Sequence, residues 1–437
     1  MNEIPVPATS ASTDASGDAA ERDYRQARAC LAAQDLDGTA QWLERAAEGE
    51  HAAALTELAI LHLHGFGREA NPGHAVELLL RAERVGGTAE TPYLLALIAV
   101  GGIALPRDPG RIDAWVADSA RRGYPAALRA AAMHFGQREG IAFQQAAVSC
   151  LQRAMEARDP LSAALLADRL QAGVGVARDP VLALDLATEL RAMGIPVELP
   201  EPAAASAASA STRAVEASPA EASEPPWELL RLLDPPADFG IRRVCPAPEI
   251  LLAESLLSNE ECRFLIYSGA RFLQRSMVVN PDTGEALQAE LRTSHDTTFV
   301  PSSEDLALRI LQQRMAGLAG LDLSQCEQLV LLRYGIGDQY RPHRDYFAPS
   351  VTRIEAGGGQ RQATVCCYLN DVAEGGGTVF PDVGVSVQAE RGRAVMFRSL
   401  HPDGRPDPRS LHAGLPVLAG EKWLASCWIR AHAARKF

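Results

Sequence analysis

The chain has 437 residues, 47% of them apolar, which is enough for two or three domains with sizeable cores. Its formal charge of −13 argues against a nucleic-acid partner, which needs a basic face for phosphate, and no apolar run is long enough to span a membrane. The eight cysteines form no C-x-x-C pair, which argues against a zinc site or redox dithiol and fits free thiols in a reducing compartment.

Residues 1–20 are rich in Ser, Ala, Thr and Asp and are expected to be disordered. They have neither the basic start nor the apolar centre of a signal peptide, so a cytoplasmic protein is expected. Residues 21–196 read as Ala- and Leu-rich helices broken by glycine turns. Gly101–Gly102 lies 36 residues after Gly65, and Gly173–Gly175 lies three such periods after Gly65–Gly67. The turn signals Asn71-Pro72, Asp108-Pro109 and Asp179-Pro180 follow at similar offsets. A period near 36 is that of stacked helical hairpins, which bury together a face that one hairpin cannot bury alone. Ala54–Gly67 and Ala164–Gly175 resemble the Sel-like branch of the tetratricopeptide family. The resemblance implies an α-solenoid of four or five hairpins, with a concave face that could recruit a protein partner.

Residues 197–226 are almost purely Ala, Ser, Pro and Glu, and are expected to act as a linker between two domains. In 227–437 the pattern changes. Ser258 and Glu261 form a capping box that opens a helix running to about Gly269, and a second helix is predicted over 303–315. Short β-like runs follow at Gln328–Tyr334, Ala363–Leu369, Val385–Gln388, Ala394–Phe397 and Trp423–Ile429. Strands at this spacing, with flanking helices, predict a double-stranded β-helix, or jelly roll. The whole chain therefore reads as multidomain α and β.

The residues that carry chemistry lie in Leu332–Phe347. His343 and Asp345 are two apart, so on an extended strand both project from one face and can reach one ion. A distal histidine would complete a 2-His-1-carboxylate set, which leaves positions open on Fe(II). His-Arg-Asp also matches a kinase catalytic loop, but the asparagine needed five residues after the aspartate is Ser350 here. His401 and His412 could each be the third ligand. Ten residues beyond His412 stands Lys422, a compact cation suited to a carboxylate, whereas ten beyond His401 stands Leu411. The chain holds only two lysines, Lys422 and Lys436, so composition alone would put one at a given position about once in 200. His412 is therefore the expected third ligand, and His401 a loop residue.

H-x-D, a distal histidine and a lysine ten residues on resemble the prolyl 4-hydroxylase branch of the 2-oxoglutarate oxygenases. The similarity extends to Arg292-Thr-Ser294, Glu327, Arg333-Tyr334, Tyr368-Leu-Asn370, the run from Gly375 to Pro381, and Ser410 to Gly414. It implies a dioxygenase with iron on His343, Asp345 and His412. By the same resemblance Lys422, Tyr334 and Thr378 hold the carboxylates of 2-oxoglutarate, and Trp428 walls the pocket. The reaction implied takes O2 and 2-oxoglutarate to succinate and CO2 while hydroxylating a prolyl residue of a peptide or protein, with L-ascorbate to rescue oxidised iron. Residues 274–292 match in position the family's loop over the peptide. His295 and Asp296 are read as structural, and the adjacent Cys366 and Cys367 as packing residues on opposite faces of a strand. Two other readings stay open. One is the same chemistry on a free amino acid or a non-prolyl side chain. The other is an inactive repeat scaffold for protein interaction, which should have lost a ligand; all four of His343, Asp345, His412 and Lys422 are present.

Overall fold

The computed structural model describes residues 12–199, 224–234, 238–279, 286–287, 291–347 and 357–437. The chain divides into two compact units, one of Met1–Tyr124 with Lys436–Phe437, the other of Pro125–Arg435.

The first unit is built from three helical hairpins: α1 (Ser12–Ala32) with α2 (Leu36–Glu48), α3 (Ala52–His64) with α4 (Pro72–Arg84), and α5 (Glu90–Gly101) with α6 (Pro109–Arg121). Helix α1 starts inside the stretch expected to be disordered; residues 1–11 lie outside the described residues. The repeating turn signals are helix ends. Gly65 closes α3 with a φ of +75°, a left-handed conformation that a Cβ would penalise. The side chains of Asn71 and Asp108 accept hydrogen bonds from the first turns of α4 and α6, and each is followed by a proline that needs no donor there. Helix α5 is buried on every side from Thr91 to Gly101, which is why it shows no polar stripe in the sequence.

The second unit contains two further hairpins, α7 (Pro125–Gly136) with α8 (Ile141–Glu156) and α9 (Pro160–Ala172) with α10 (Pro180–Ala192). The ten helices therefore make five hairpins. The last two share one compact unit with the sheets and with helices α11 (Asn259–Gly269) and α12 (Leu306–Leu318). Partly buried ion pairs join them. Arg169 grips Glu260 with two bonds of 2.8 and 2.6 Å. Arg129 pairs with Asp159, the cap of α9, and at 2.8 Å with Asp305, the cap of α12. Arg263 reaches Asp168 at 2.6 Å. Acids at the starts of α11 and α12 also meet the positive ends of those helices. The compact division falls between Tyr124 and Pro125, within the 21–196 stretch that the repeat pattern groups together. Of the expected linker, residues 200–223 lie outside the described residues.

The twelve strands of the two main sheets are β1 (Ile241–Pro246), β2 (Glu249–Ala253), β3 (Gln274–Arg275), β4 (His295–Thr298), β5 (Val330–Tyr334), β6 (Tyr340–His343), β7 (Arg361–Tyr368), β8 (Thr378–Phe380), β9 (Val385–Val387), β10 (Ala394–Arg398), β11 (His412–Gly414) and β12 (Lys422–Arg430). The larger sheet runs β1-β2-β10-β7-β12-β5-β4-β3 and the smaller β9-β8-β11-β6. Their apolar faces meet in one core that includes Tyr334, Tyr368 and Phe397 from the larger sheet and Phe380 and Val387 from the smaller. This is the predicted double-sheet jelly roll. The capping box of Ser258 and Glu261 forms as expected. The helix predicted over 303–315 instead runs Leu306–Leu318, because the Asp305 carboxylate accepts from Leu308 N while Ser303 is used in a turn onto Val300. Among the described residues no helix is long and apolar enough to cross a membrane.

Candidate active site

Strand pairing brings the three predicted ligands together. β11 runs antiparallel to β6, and its first residue, His412, stands opposite the last residue of β6, His343. Asp345 follows His343 by two residues on the same side. One donor atom from each of the three lies within 4.8 Å of the others. His343 Nε2 is 3.6 Å from Asp345 Oδ1, and His412 Nε2 is 3.7 Å from Asp345 Oδ2. These separations are too long for hydrogen bonds, and ligand atoms about 2 Å from a shared ion span such gaps.

The outer atoms of the ligands are already committed. His343 Nδ1 lies 2.8 Å from the Arg341 carbonyl and His412 Nδ1 2.9 Å from the Ser410 carbonyl. Each carbonyl selects the tautomer with hydrogen on Nδ1 and leaves Nε2 as a lone-pair donor. Thr364 Oγ1, on β7, donates to Asp345 Oδ2 at 2.6 Å. Burial and the neighbouring His412 press the His343 pKa down to about 3, so the ring is neutral. Burial acts to raise the Asp345 pKa, but His412, His343, Arg361 and the bond from Thr364 outweigh it, and the carboxyl stays ionised. Two imidazoles with Nε2 turned to a common point and one carboxylate, each with a supporting hydrogen bond, fit a divalent first-row ion. His401 lies apart from this set, against Asp407.

Lys422 opens β12 opposite Tyr334 of β5. It is 2% exposed, and its Nζ lies 5.1 Å from the Tyr334 ring centre and 5.3 Å from that of Tyr368. Among the described residues no carboxylate pairs with it, an arrangement suited to an incoming anion. Burial pushes its pKa down to about 8. A carboxylate ligand binds the ammonium form, so the free protein must take up a proton to bind above that pH. The KM for 2-oxoglutarate is therefore expected to be flat from pH 6.5 to 7.5 and to rise about fivefold between pH 8 and 9. In Lys422→Arg, which stays charged, steady-state kinetics should show a weaker KM and no such rise.

Thr378, on β8, is also buried at this end, and its Oγ1 accepts from the Tyr368 hydroxyl at 2.7 Å. The glycine run before it allows a close approach: a Cβ on Gly375, which has a φ of +81°, would fall 2.2 Å from the Pro416 carbonyl oxygen. Tyr334 is buried beside Ser294 and Arg292, and burial raises its pKa. Lys422, Tyr334 and Thr378 thus gather at one end of the core. Trp428 does not join them. It lies six residues further along β12, roughly 20 Å for an extended chain, opposite Thr364 near the metal ligands. There Arg361 stacks on it at 4.3 Å, and its buried indole N–H has no hydrogen-bond partner.

Sequence reasoning gave no role to four residues in this region. Thr364 supports Asp345, Tyr368 supports Thr378, Arg361 covers Trp428, and Tyr340 stacks on His343 with ring centres 3.4 Å apart. Thr364 and Tyr368 could have been found by counting in twos along β7, which puts them on one face with Cys366 between. Cys367 points the other way and is fully buried, as expected for adjacent strand residues. Asn370 locks the start of β12: its amide donates to the Glu421 carbonyl at 2.8 Å and its oxygen accepts from Trp423 N at 2.7 Å. These bonds flank Lys422, so Asn370→Ala is expected to raise the KM for 2-oxoglutarate about tenfold and leave iron binding intact. Steady-state kinetics with an iron assay would check this.

A cleft of about 1480 Å³ reaches this site and is lined by His343, Asp345, Tyr340, Arg361 and Trp428 among others. Part of the expected lid, 280–285 and 288–290, lies outside the described residues.

Residues 329–430 match the family model described as the 2OG-Fe(II) oxygenase superfamily. The chain is 35% identical to "Probable prolyl 4-hydroxylase 10" of Arabidopsis thaliana over 204 residues, which is 42% of this chain and 70% of that relative. It is 36% identical to "Prolyl 4-hydroxylase 2" of the same organism over 210 residues, 43% of this chain and 69% of the relative. Among solved structures it is similar to the viral collagen prolyl hydroxylase of Paramecium Bursaria Chlorella virus-1. That match has 26% identity and a TM-score of 0.34, and covers 43% of this chain and 99% of the other.

Proposed function

From its place in the prolyl 4-hydroxylase family of 2-oxoglutarate- and Fe(II)-dependent oxygenases, to which the chain belongs, we infer that it hydroxylates prolyl residues of a polypeptide, consuming 2-oxoglutarate and O2 and releasing succinate and CO2. The observation that carries this reading is the pairing of His412 opposite His343 beside Asp345, with a buried lysine lacking a carboxylate partner among the described residues, its Nζ beside Gly414, two residues from His412. His343, Asp345 and His412 would hold the iron. When bound, the iron with 2-oxoglutarate supplies the oxidising power for C–H hydroxylation. Lys422 and Thr378 receive the far carboxylate of the co-substrate, and Tyr368 orients Thr378. Trp428 and Tyr340 wall the cleft and exclude water from the reacting face. L-ascorbate is assigned as the reductant that restores oxidised iron. Eight free thiols among the described residues support a cytoplasmic location.

The cleft favours a polypeptide over a free amino acid. Its volume of about 1480 Å³ exceeds the roughly 300–1,000 Å³ of small-molecule pockets. Arg129 of α7 and Leu161 of α9 contribute to its lining, which gives the helical repeats a part in seating the substrate. The test is mass spectrometry of proline-containing peptides and of free proline after incubation with iron, 2-oxoglutarate and O2. Addition of one oxygen to a peptide proline, with free proline unchanged, is the expected result. Oxidation of free proline alone would overturn the substrate class.

A further inference from the structure

The cleft that serves the proposed hydroxylase carries a charge pattern opposite to that of the whole chain. Arg271, Arg275 and Arg344 line it and are exposed. Among the described residues none of the three pairs with a carboxylate: Arg271 lies over the Phe272 ring at 4.6 Å, Arg275 donates to the Thr293 carbonyl at 2.5 Å, and Arg344 donates to the Pro408 carbonyl at 2.8 Å. The acids of the cleft are engaged elsewhere. Asp305 pairs with Arg129, Asp296 with Arg292 at 3.5 Å, and Asp345 belongs to the metal set. Free positive charge thus lines a cleft in a protein of net charge −13. Between the arginines the walls are apolar, with Phe272 54%, Met277 45% and Val300 47% exposed. Large exposed apolar side chains in a groove, interleaved with unpaired cations, mark a binding surface for a segment that is partly apolar and partly anionic.

We propose that the substrate is an extended acidic polypeptide segment, with aspartate or glutamate within a few residues of the target proline, whose carboxylates meet Arg271, Arg275 and Arg344. The proposal rests on the hydroxylase reading for the identity of the target residue, but its charge preference is measured independently. Leu161 of α9 and Arg129 of α7 line the same cleft as His343 and Asp345, so a segment seated there meets both the metal ligands and the repeats. Oligonucleotides carry negative charge too, but the chain as a whole repels them.

The experiment uses the full chain loaded with iron and 2-oxoglutarate without O2, and fluorescein-labelled peptides of one length. Each peptide has a central proline flanked by glutamates, by glutamines or by lysines. Fluorescence anisotropy gives the Kd. The glutamate peptide should bind about tenfold tighter than the glutamine peptide at low salt, and lose most of that margin at 0.5 M salt. The lysine peptide should bind weakest. In Arg271→Glu/Arg275→Glu the order should invert, a gain for the lysine peptide that misfolding cannot imitate. Equal affinities across the three peptides, or a single-stranded oligonucleotide binding tighter than the glutamate peptide, would overturn the proposal. Admitting O2 to the same mixtures and weighing the products tests the hydroxylase reading separately. Tight acidic binding without an added oxygen would sink that reading and leave the charge preference standing.

Discussion

Replacing His412 with alanine is expected to lower succinate formation at least about a thousandfold and to abolish stoichiometric iron binding. The residue stands at the strand position opposite His343, and no other histidine among the described residues reaches the set. The loss should exceed that of a supporting residue. Thr364→Val removes the bond to Asp345 but leaves all three donors, and should cost about 10- to 100-fold in iron affinity. Anaerobic iron titration and succinate assays on the two variants separate these roles. A His412→Ala protein that still bound one iron per chain with undiminished turnover would remove His412 from the site.

The second large effect is on stability. Arg129→Met removes a buried cation and leaves the partly buried Asp159 and Asp305 without it; breaking a fully buried pair costs about 3–5 kcal/mol, and the loss here is expected toward the lower end of that range. Thermal denaturation of the unit should show a fall of roughly 5–15 °C. The partner change Asp305→Asn, made together with Arg129→Met, should recover part of the loss, because it removes one of the stranded charges. Deleting residues 1–225 would go further and strip Arg169 from Glu260 and Asp168 from Arg263 as well. Such a truncation tests folding before it tests substrate recruitment. A truncated protein melting at the temperature of the full chain would contradict the integration of α7–α10 with the sheets.

Much of this architecture was legible in the sequence, because the signals were local. The repeat period surfaced as helix caps at Gly65, Asn71 and Asp108, each of which acts on its own first or last turn. The iron set could be read because i and i+2 share a face of a strand, and because Lys422 stands out in a chain nearly devoid of lysine. What the sequence hid was long-range. Arg129, Arg169, Glu260 and Asp305 look like ordinary charges on solvated helix faces, and only tertiary packing shows the two arginines buried and paired with these acids, which is why the compact division was not visible at residue 124. Trp428 was grouped with the co-substrate residues; it stands six residues beyond Lys422 along β12 and lines the cleft with His343 and Asp345. Tyr368 was seen as part of a motif but not as the donor to Thr378, because that bond crosses between the two sheets.

The most direct test of the account is to load the full chain with Fe(II) without oxygen, add 2-oxoglutarate, O2 and a proline-containing peptide, and measure succinate and hydroxyproline together, with His412→Ala in parallel. The account predicts one succinate per hydroxyproline from the wild type and neither product from the variant. A wild-type protein that binds neither iron nor 2-oxoglutarate, and forms no succinate with any peptide, would contradict it and leave the helical repeats as the functional part of the chain.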